Sequence, residues 1–403
     1  MIYKIEIENF CSILDRQILD LRVPANVPLD SHRLASCGRG STERAPKVVA
    51  VFGANGSGKS NLLRALSFVA WFVGSSFSLA PGGRIPHEPF NDSVSFKKPT
   101  RLKVWMAWQE NPSAANQDKA VECPYCYELT IGNSDNRNVI DEGMFYWPNS
   151  TGRRTRLIER FEDGSVKASK VFGLAGYKGA LDKVLRPNAS VISTLAQLNH
   201  PIAAAIAGSA QNVRSNIFME KFEFSDEDVL RSYIDHPKMV EQFNREIGRV
   251  DVGVRALEIN HDNNGPKVLF RHEELAFPMS PIFESHGTRQ FLKLFPLISN
   301  SLATGHIAII DELDAAIHSM ILPEVIGWFH DPVRNPYNSQ LWMTCHNVSL
   351  LEELSKDEIV FCEKDRRGRT EIYGLNDIKG VRRDDNYFRK YLGGVFGAVP
   401  RIG

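Results

Sequence analysis

The sequence predicts an α/β protein: a mixed sheet flanked by helices, an antiparallel β layer beside it and an inserted helical arm. Three observations carry this. The apolar, β-branched run Val48–Phe52 feeds a glycine loop and then a run of helix formers, Asn61–Leu66. A second apolar run, His306–Ile310, ends in two carboxylates, Asp311 and Glu312. Between them, residues 101–172 alternate apolar and polar and are rich in aromatics, as antiparallel strands are.

In chain order, residues 2–8 and 17–23 read as strands, the first alternating from the opening residues and unlike a signal peptide. Residues 24–46 are polar, rich in Pro, Gly, Ser and Arg, and lack a hydrophobic period, so they read as a mobile excursion. Residues 47–52 form a buried strand, and a helix runs from Gly58 to about Val73. Residues 81–99 are a Pro- and Gly-rich connection. Strands come next at 101–108, 124–131, 139–147, 155–161 and 166–172. Their aromatics (Trp105, Trp108, Tyr125, Tyr127, Phe145, Tyr146, Trp147) suit packing of the layer better than base stacking. Cys123 and Cys126 lack a second ligand pair for zinc and read as a turn entering a strand.

From 187 to 248 the period becomes helical, with Leu195, Leu198, Ile202, Ala205 and Ile206 at spacings of three and four. Residues 251–260 and 266–271, joined by Asp262-Asn263-Asn264-Gly265, read as a hairpin. The division expected is 1–180 as the N-terminal half, 181–250 as the helical arm and 251–403 as the C-terminal half.

At 403 residues the chain is long enough for one large core, or a core with an inserted lobe. Lys and Arg total 48, as do Asp and Glu, so no overall basic field indicates nucleic acid; such a contact needs a local patch. No apolar run approaches the roughly 18 residues that would suggest a membrane partner. Six scattered cysteines point to reduced thiols and a cytoplasmic protein.

The chemistry begins at Gly53-Ala54-Asn55-Gly56-Ser57-Gly58-Lys59-Ser60, a P-loop pattern in the strand–loop–helix context it requires. Glycines at 53, 56 and 58 let successive N–H groups, including that of Asn55, point inward at phosphate oxygens. The helix start, Gly58 to Asn61, adds free N–H groups and a positive dipole end. In such a loop Lys59 is expected to reach β- and γ-phosphates, and the Ser60 hydroxyl to ligate Mg²⁺. Ser285, Gly287 and Thr288 open a second helix and form a second anion cradle. Asp311 supplies a carboxylate for Mg²⁺, and Glu312 one to orient or deprotonate water.

In these residues the chain resembles the ABC-type ATPase heads of SMC proteins, double-strand-break-repair ATPases and OLD-type proteins. Gly53–Ser60 is similar to their Walker A, Ile307–Glu312 to Walker B, and Leu313–His318 to the D-loop. Glu284–Thr288 sits where their signature loop sits, in the form found in AAA-like ATPases of bacterial phage-defence operons. His346, ending the run from Leu341, resembles the switch histidine. The opening segment around Phe10 and the stretch Tyr391–Pro400 also look like that subfamily. No Q-loop glutamine is evident in 86–99, and no heptad run marks a long coiled coil.

The resemblance implies ATP·Mg²⁺ sandwiched between two heads, in a homodimer or higher homo-oligomer. Lys59, Ser60 and Asp311 of one subunit hold the nucleotide, and Ser285 and Gly287 of the other touch its γ-phosphate. Glu312 polarises water and His346 senses the γ-phosphate. The 57 residues after His346 read as a strand pair, 357–364 and 369–374, and a helical piece, too little for the Toprim nuclease domain of OLD-type proteins. The first expectation is therefore an ATPase sensor and scaffold of a defence operon, acting on a separately encoded effector such as a Toprim-type nuclease. A second is a DNA-repair or DNA-end-binding ATPase using Arg153, Arg154 and Arg156 or the basic run Lys364–Arg369. A third is a nucleotide-binding scaffold with negligible turnover.

Overall fold

The computed structural model describes residues 1–23, 27, 31–110, 121–133, 137–251, 253–262, 265–317 and 320–400. His318, the turn residues Asn263 and Asn264, and parts of the 24–46 stretch lie outside the described residues.

The chain opens with β1 (Ile2–Glu8), β2 (Gln17–Asp20), β3 (Leu34–Ser36), β4 (Arg44–Pro46), β5 (Val48–Phe52) and α1 (Lys59–Ser75). Five strands come after it: β6 (Thr100–Gln109), β7 (Glu122–Ile131), β8 (Val139–Tyr146), β9 (Thr155–Arg160) and β10 (Val166–Ala168). Next come α2 (Lys178–Val184), α3 (Val191–Gln197), α4 (Pro201–Gln211), β11 (Val213–Ser215), α5 (Asp226–Asp235) and α6 (Pro237–Val250). A hairpin, β12 (Val254–Asp262) and β13 (Gly265–His272), precedes α7 (His286–Thr304), β14 (Ile307–Ile310), α8 (Leu313–Ala316) and α9 (Leu322–His330). The last elements are β15 (Gln340–Thr344), β16 (Ile359–Lys364), β17 (Thr370–Gly374) and α10 (Tyr387–Leu392).

These strands build the mixed α/β architecture that the sequence predicts. A six-stranded sheet runs β11-β14-β15-β5-β16-β17, parallel except for its last strand. A seven-stranded antiparallel sheet runs β10-β9-β8-β7-β6-β1-β2. The parallel strands β14, β15, β5 and β16 are covered on both faces, which is why they read as continuous apolar runs. Alternation sorts their side chains. Val49, Val51, Ile309, Trp342 and Val360 share a core with α1, α3, α4 and the antiparallel layer. Val48, Ala50, Phe52, Ala308, Ile310, Leu341 and Met343 share another with α6, α7 and α9. So α1 and α7 lie on opposite faces of one sheet. Gln340 joins the two sheets: its amide accepts from Ile2 N–H at 3.0 Å and donates to the Ile2 and Pro46 carbonyls at 2.9 and 3.0 Å.

Four sequence readings change. The helical stretch over 181–250 is not continuous, because β11 interrupts it and pairs with β14. Val191, Leu195, Ile202 and Ile206 bury against α1, so α3 and α4 belong to the core. Period alone shows which face of a helix is apolar, not what covers it. Within 24–46, β3 and β4 form a small ladder, and Cys37 and Ala45 pack on Tyr3; three-residue strands are too short to show a period. Cys123 and Cys126 both lie inside β7 rather than at a turn. An odd separation along a strand points them to opposite faces. Both thiols are free, and burial pushes that of Cys123 up to about 12. The 166–172 strand ends at Ala168, and Phe172 packs in the core instead. The layer aromatics Tyr125, Tyr127, Phe145 and Tyr146 are buried.

Candidate functional site

The parallel register aligns the ends of β5, β14 and β15: Ile310 pairs with Met343, and Thr344 with Val51. The loops leaving these three strands emerge at one edge, the carboxyl edge where open α/β sheets bind ligands. The glycine loop, Asp311-Glu312 and Cys345-His346 therefore converge although they are far apart in sequence.

The loop after β5 is built to close tolerance. Gly53 has φ 149° and Gly58 has φ 103°, conformations that L side chains rarely adopt. A Cβ on Gly53 would sit 2.2 Å from the Cys362 carbonyl oxygen, and one on Gly58 2.2 Å from Thr370 Oγ1. Thr370 supports the loop from below, donating to the Ser57 carbonyl at 2.8 Å and meeting Ser12 Oγ at 2.7 Å. Ala54 N–H donates to the Ala398 carbonyl at 3.1 Å, so the segment after α10 also reaches the loop. Asn55 and Gly56 are exposed at its tip.

Lys59 is buried and donates to the Gly53 and Ala54 carbonyls at 2.9 and 3.2 Å. Desolvation lowers its pKa, against the opposing pull of Asp311, Asp314 and Glu312. Ser60 Oγ donates to Asp311 Oδ1 at 3.0 Å, and Thr344 Oγ1 donates to the same oxygen at 2.7 Å. Asn61 is engaged within the chain: it donates to Ser12 Oγ at 2.6 Å and accepts from Arg64 at 2.9 Å. Its side chain ties the start of α1 to Ser12.

Glu312 has φ 53°, in the left-handed region that costs a non-glycine residue about 1 kcal/mol or more. Thr344 Oγ1 accepts its N–H at 2.7 Å and holds it there. Its carboxylate takes a hydrogen bond from Lys221 at 2.8 Å, and His346 Nε2 stands 3.9 Å away. The Lys221 ammonium is the main reason that the Glu312 carboxyl sits below its ordinary range. Asp314 accepts from the His346 and Asn347 N–H groups, both at 2.8 Å, tying the segment after β14 to the one after β15.

Of the predicted residues, Gly53 to Ser60, Asp311, Glu312 and His346 come together. Ser285, Gly287 and Thr288 do not join them. They open α7 on the other face of the sheet, and among the described residues no hydrogen bond or ion pair links them to the loop. Ser285 is exposed and its Oγ caps the helix, accepting from Thr288 N–H at 3.1 Å. Thr288 is buried and donates to Asp251 at 2.6 Å, so it braces the cradle rather than lining it.

Sequence reasoning missed Thr344, Lys221, Asn216 and Thr370. Asn216 lies just past β11 and exchanges two hydrogen bonds with the Asp311 main chain, at 2.7 and 3.2 Å. No local signal marks these residues, because each acts through a partner more than 30 positions away.

The donor set fits Mg²⁺. The Ser60 hydroxyl and Asp311 carboxylate are adjacent hard oxygens, and Mg²⁺ characteristically takes one or two protein oxygens, substrate phosphates and water. Among the described residues, no cluster of three or more His, Cys, Asp or Glu suits a metal held by protein alone.

Residues 48–97 match a family model described as "AAA domain, putative AbiEii toxin, Type IV TA system". No curated protein matches the chain. Among solved structures, the chain is similar to an SMC head bound to the C-terminal winged-helix domain of ScpA. That likeness has 14% identity and a TM-score of 0.46, over 92% of this chain and 97% of that one. It is also similar to the SMC head domain from Thermotoga maritima, with 14% identity and a TM-score of 0.42, over 93% of this chain and 98% of that one. The family match spans β5, the glycine loop and α1.

Proposed function

We propose that this protein binds and hydrolyses ATP with Mg²⁺, and that two copies complete each site. The observation that carries the reading is the Ser60–Asp311 contact of 3.0 Å, which brings the glycine loop and the Asp-Glu strand end to one crevice. Lys59 and the loop N–H groups hold the phosphates. Ser60 and Asp311 hold Mg²⁺, which offsets phosphate charge when bound. Glu312 takes a proton from the attacking water, and His346 lies beside it to report the γ-phosphate. The Ser285–Gly287 turn, with Ser285 and His286 exposed, serves the partner's nucleotide; that α7 and α1 sit on opposite faces of the sheet supports this. ATP then favours the paired state by its higher affinity for it, and hydrolysis releases it.

The role we assign to this switch is sensor and scaffold of an antiphage defence system that controls a separately encoded effector. The family match to a model named for a toxin of a toxin–antitoxin system supports that setting. The DNA-binding alternative has less support: Arg154 and Arg156 are engaged by Glu128 and Glu159, and Arg369 by Asp365 and Asp15.

The test is phosphate release together with molar mass in solution. Turnover by the wild type, and an ATP-dependent doubling of mass in Glu312→Gln, are the expected results. A variant that turns over normally and never pairs contradicts the reading.

A further inference from the structure

Lys59 and the Mg²⁺ that Ser60 and Asp311 would hold supply positive charge to the phosphates, while Glu312 adds a carboxylate beside them whose own cation is Lys221. Lys59 lies in the field of three carboxylates, Asp311, Glu312 and Asp314. ATP would bring its γ-phosphate to the same place, beside Glu312. Two anions side by side in a partly desolvated crevice repel unless a cation stands between them. The cation already at Glu312 is Lys221, 2.8 Å away and about 38% exposed.

Its placement suits movement of the side chain without movement of the chain. The segment leaving β11 is anchored by the two hydrogen bonds of Asn216 to the Asp311 main chain. A bridge between Ile217 and Lys221 folds it back. Lys221 thus stands on a fixed base, with a flexible four-carbon stem and a compact ammonium. Lys59, by contrast, is buried and held by two loop carbonyls.

We propose that Lys221 is a second catalytic cation, resting on Glu312 when nucleotide is absent and contacting a γ-phosphate oxygen when ATP is bound. The inference rests on the hydrolytic reading above. In the step, the water oxygen bonds to the γ-phosphorus and the bond from that phosphorus to the bridging oxygen breaks. Its electron pair leaves on ADP, and the water proton passes to Glu312. Lys221 keeps its protons throughout; its charge offsets the growing charge on the transferred group. Leaving Glu312 also frees the carboxylate oxygen that it occupied.

The experiment compares wild type, Lys221→Met and Lys221→Arg. Affinities for Mg²⁺–ADP and for a Mg²⁺-bound non-hydrolysable ATP analogue are read by calorimetry, and turnover by phosphate release. For Lys221→Met, kcat falls about ten- to a hundredfold. Its affinity for the ATP analogue falls about tenfold, as expected for a charged hydrogen bond. ADP affinity is unchanged, and Lys221→Arg keeps most of both properties. Faster or unchanged turnover in Lys221→Met, or an equal loss of ADP and analogue affinity, overturns the proposal. If the wild type binds the analogue without turnover, the hydrolytic reading fails while the affinity comparison still decides whether Lys221 meets the γ-phosphate.

Discussion

Two glycine-containing turns at helix starts, Gly53–Ser60 and Ser285–Thr288, look alike in sequence and differ in their surroundings. The first is braced from within the chain on the side away from its exposed tip. Thr370, Ser12, Ala398 and Asp311 fix it, and Lys59 is only 5% exposed. The second caps its own helix, and Ser285 and His286 stand at the surface, with Ile282 and Phe283 exposed just before them. On the reading proposed above, the first turn binds its anion from within one chain and the second meets an anion held by another copy.

Four substitutions break or sharpen that contrast. The largest effect is expected for Glu312→Gln: phosphate release falls roughly a hundredfold or more, the usual contribution of a general base, while ATP affinity is kept. Lys59→Ala comes next, with ATP affinity falling about a hundredfold as the charged contacts to phosphate are lost, measured by calorimetry. Ser285→Arg leaves affinity within about threefold of wild type and abolishes ATP-dependent pairing, read by light scattering; loss of binding in this variant would place both turns in one pocket. Thr288→Val has the smallest effect. It removes the hydroxyl bond to Asp251 and lowers stability by about 1–2 kcal/mol in a denaturant titration, with nucleotide affinity unchanged.

The first turn was readable because its signals are local. Apolar strand, glycines at fixed offsets and helix formers stand one after another, and positive φ at Gly53 and Gly58 is what those glycines provide. The Asp311-Glu312 strand end was readable for the same reason. The middle of the chain was less so. Residues 181–250 show a helical period, yet β11 is only three residues long, and only its partner β14 makes it a strand. The 24–46 stretch holds two equally short strands whose pairing is likewise non-local. The Thr344, Asn216 and Lys221 contacts carry no spacing rule at all.

By itself, the sequence determined the elements, the two turns and the carboxylates, because dihedral preference and hydrophobic period act between near neighbours. Tertiary structure decided which of them meet. Parallel register aligned the ends of β5, β14 and β15, and alternation of side chains across the sheet sent α1 to one face and α7 to the other. That placement sets which turn is braced within the chain and which is exposed, since burial depends on what packs above a residue and not on the residues beside it in the chain.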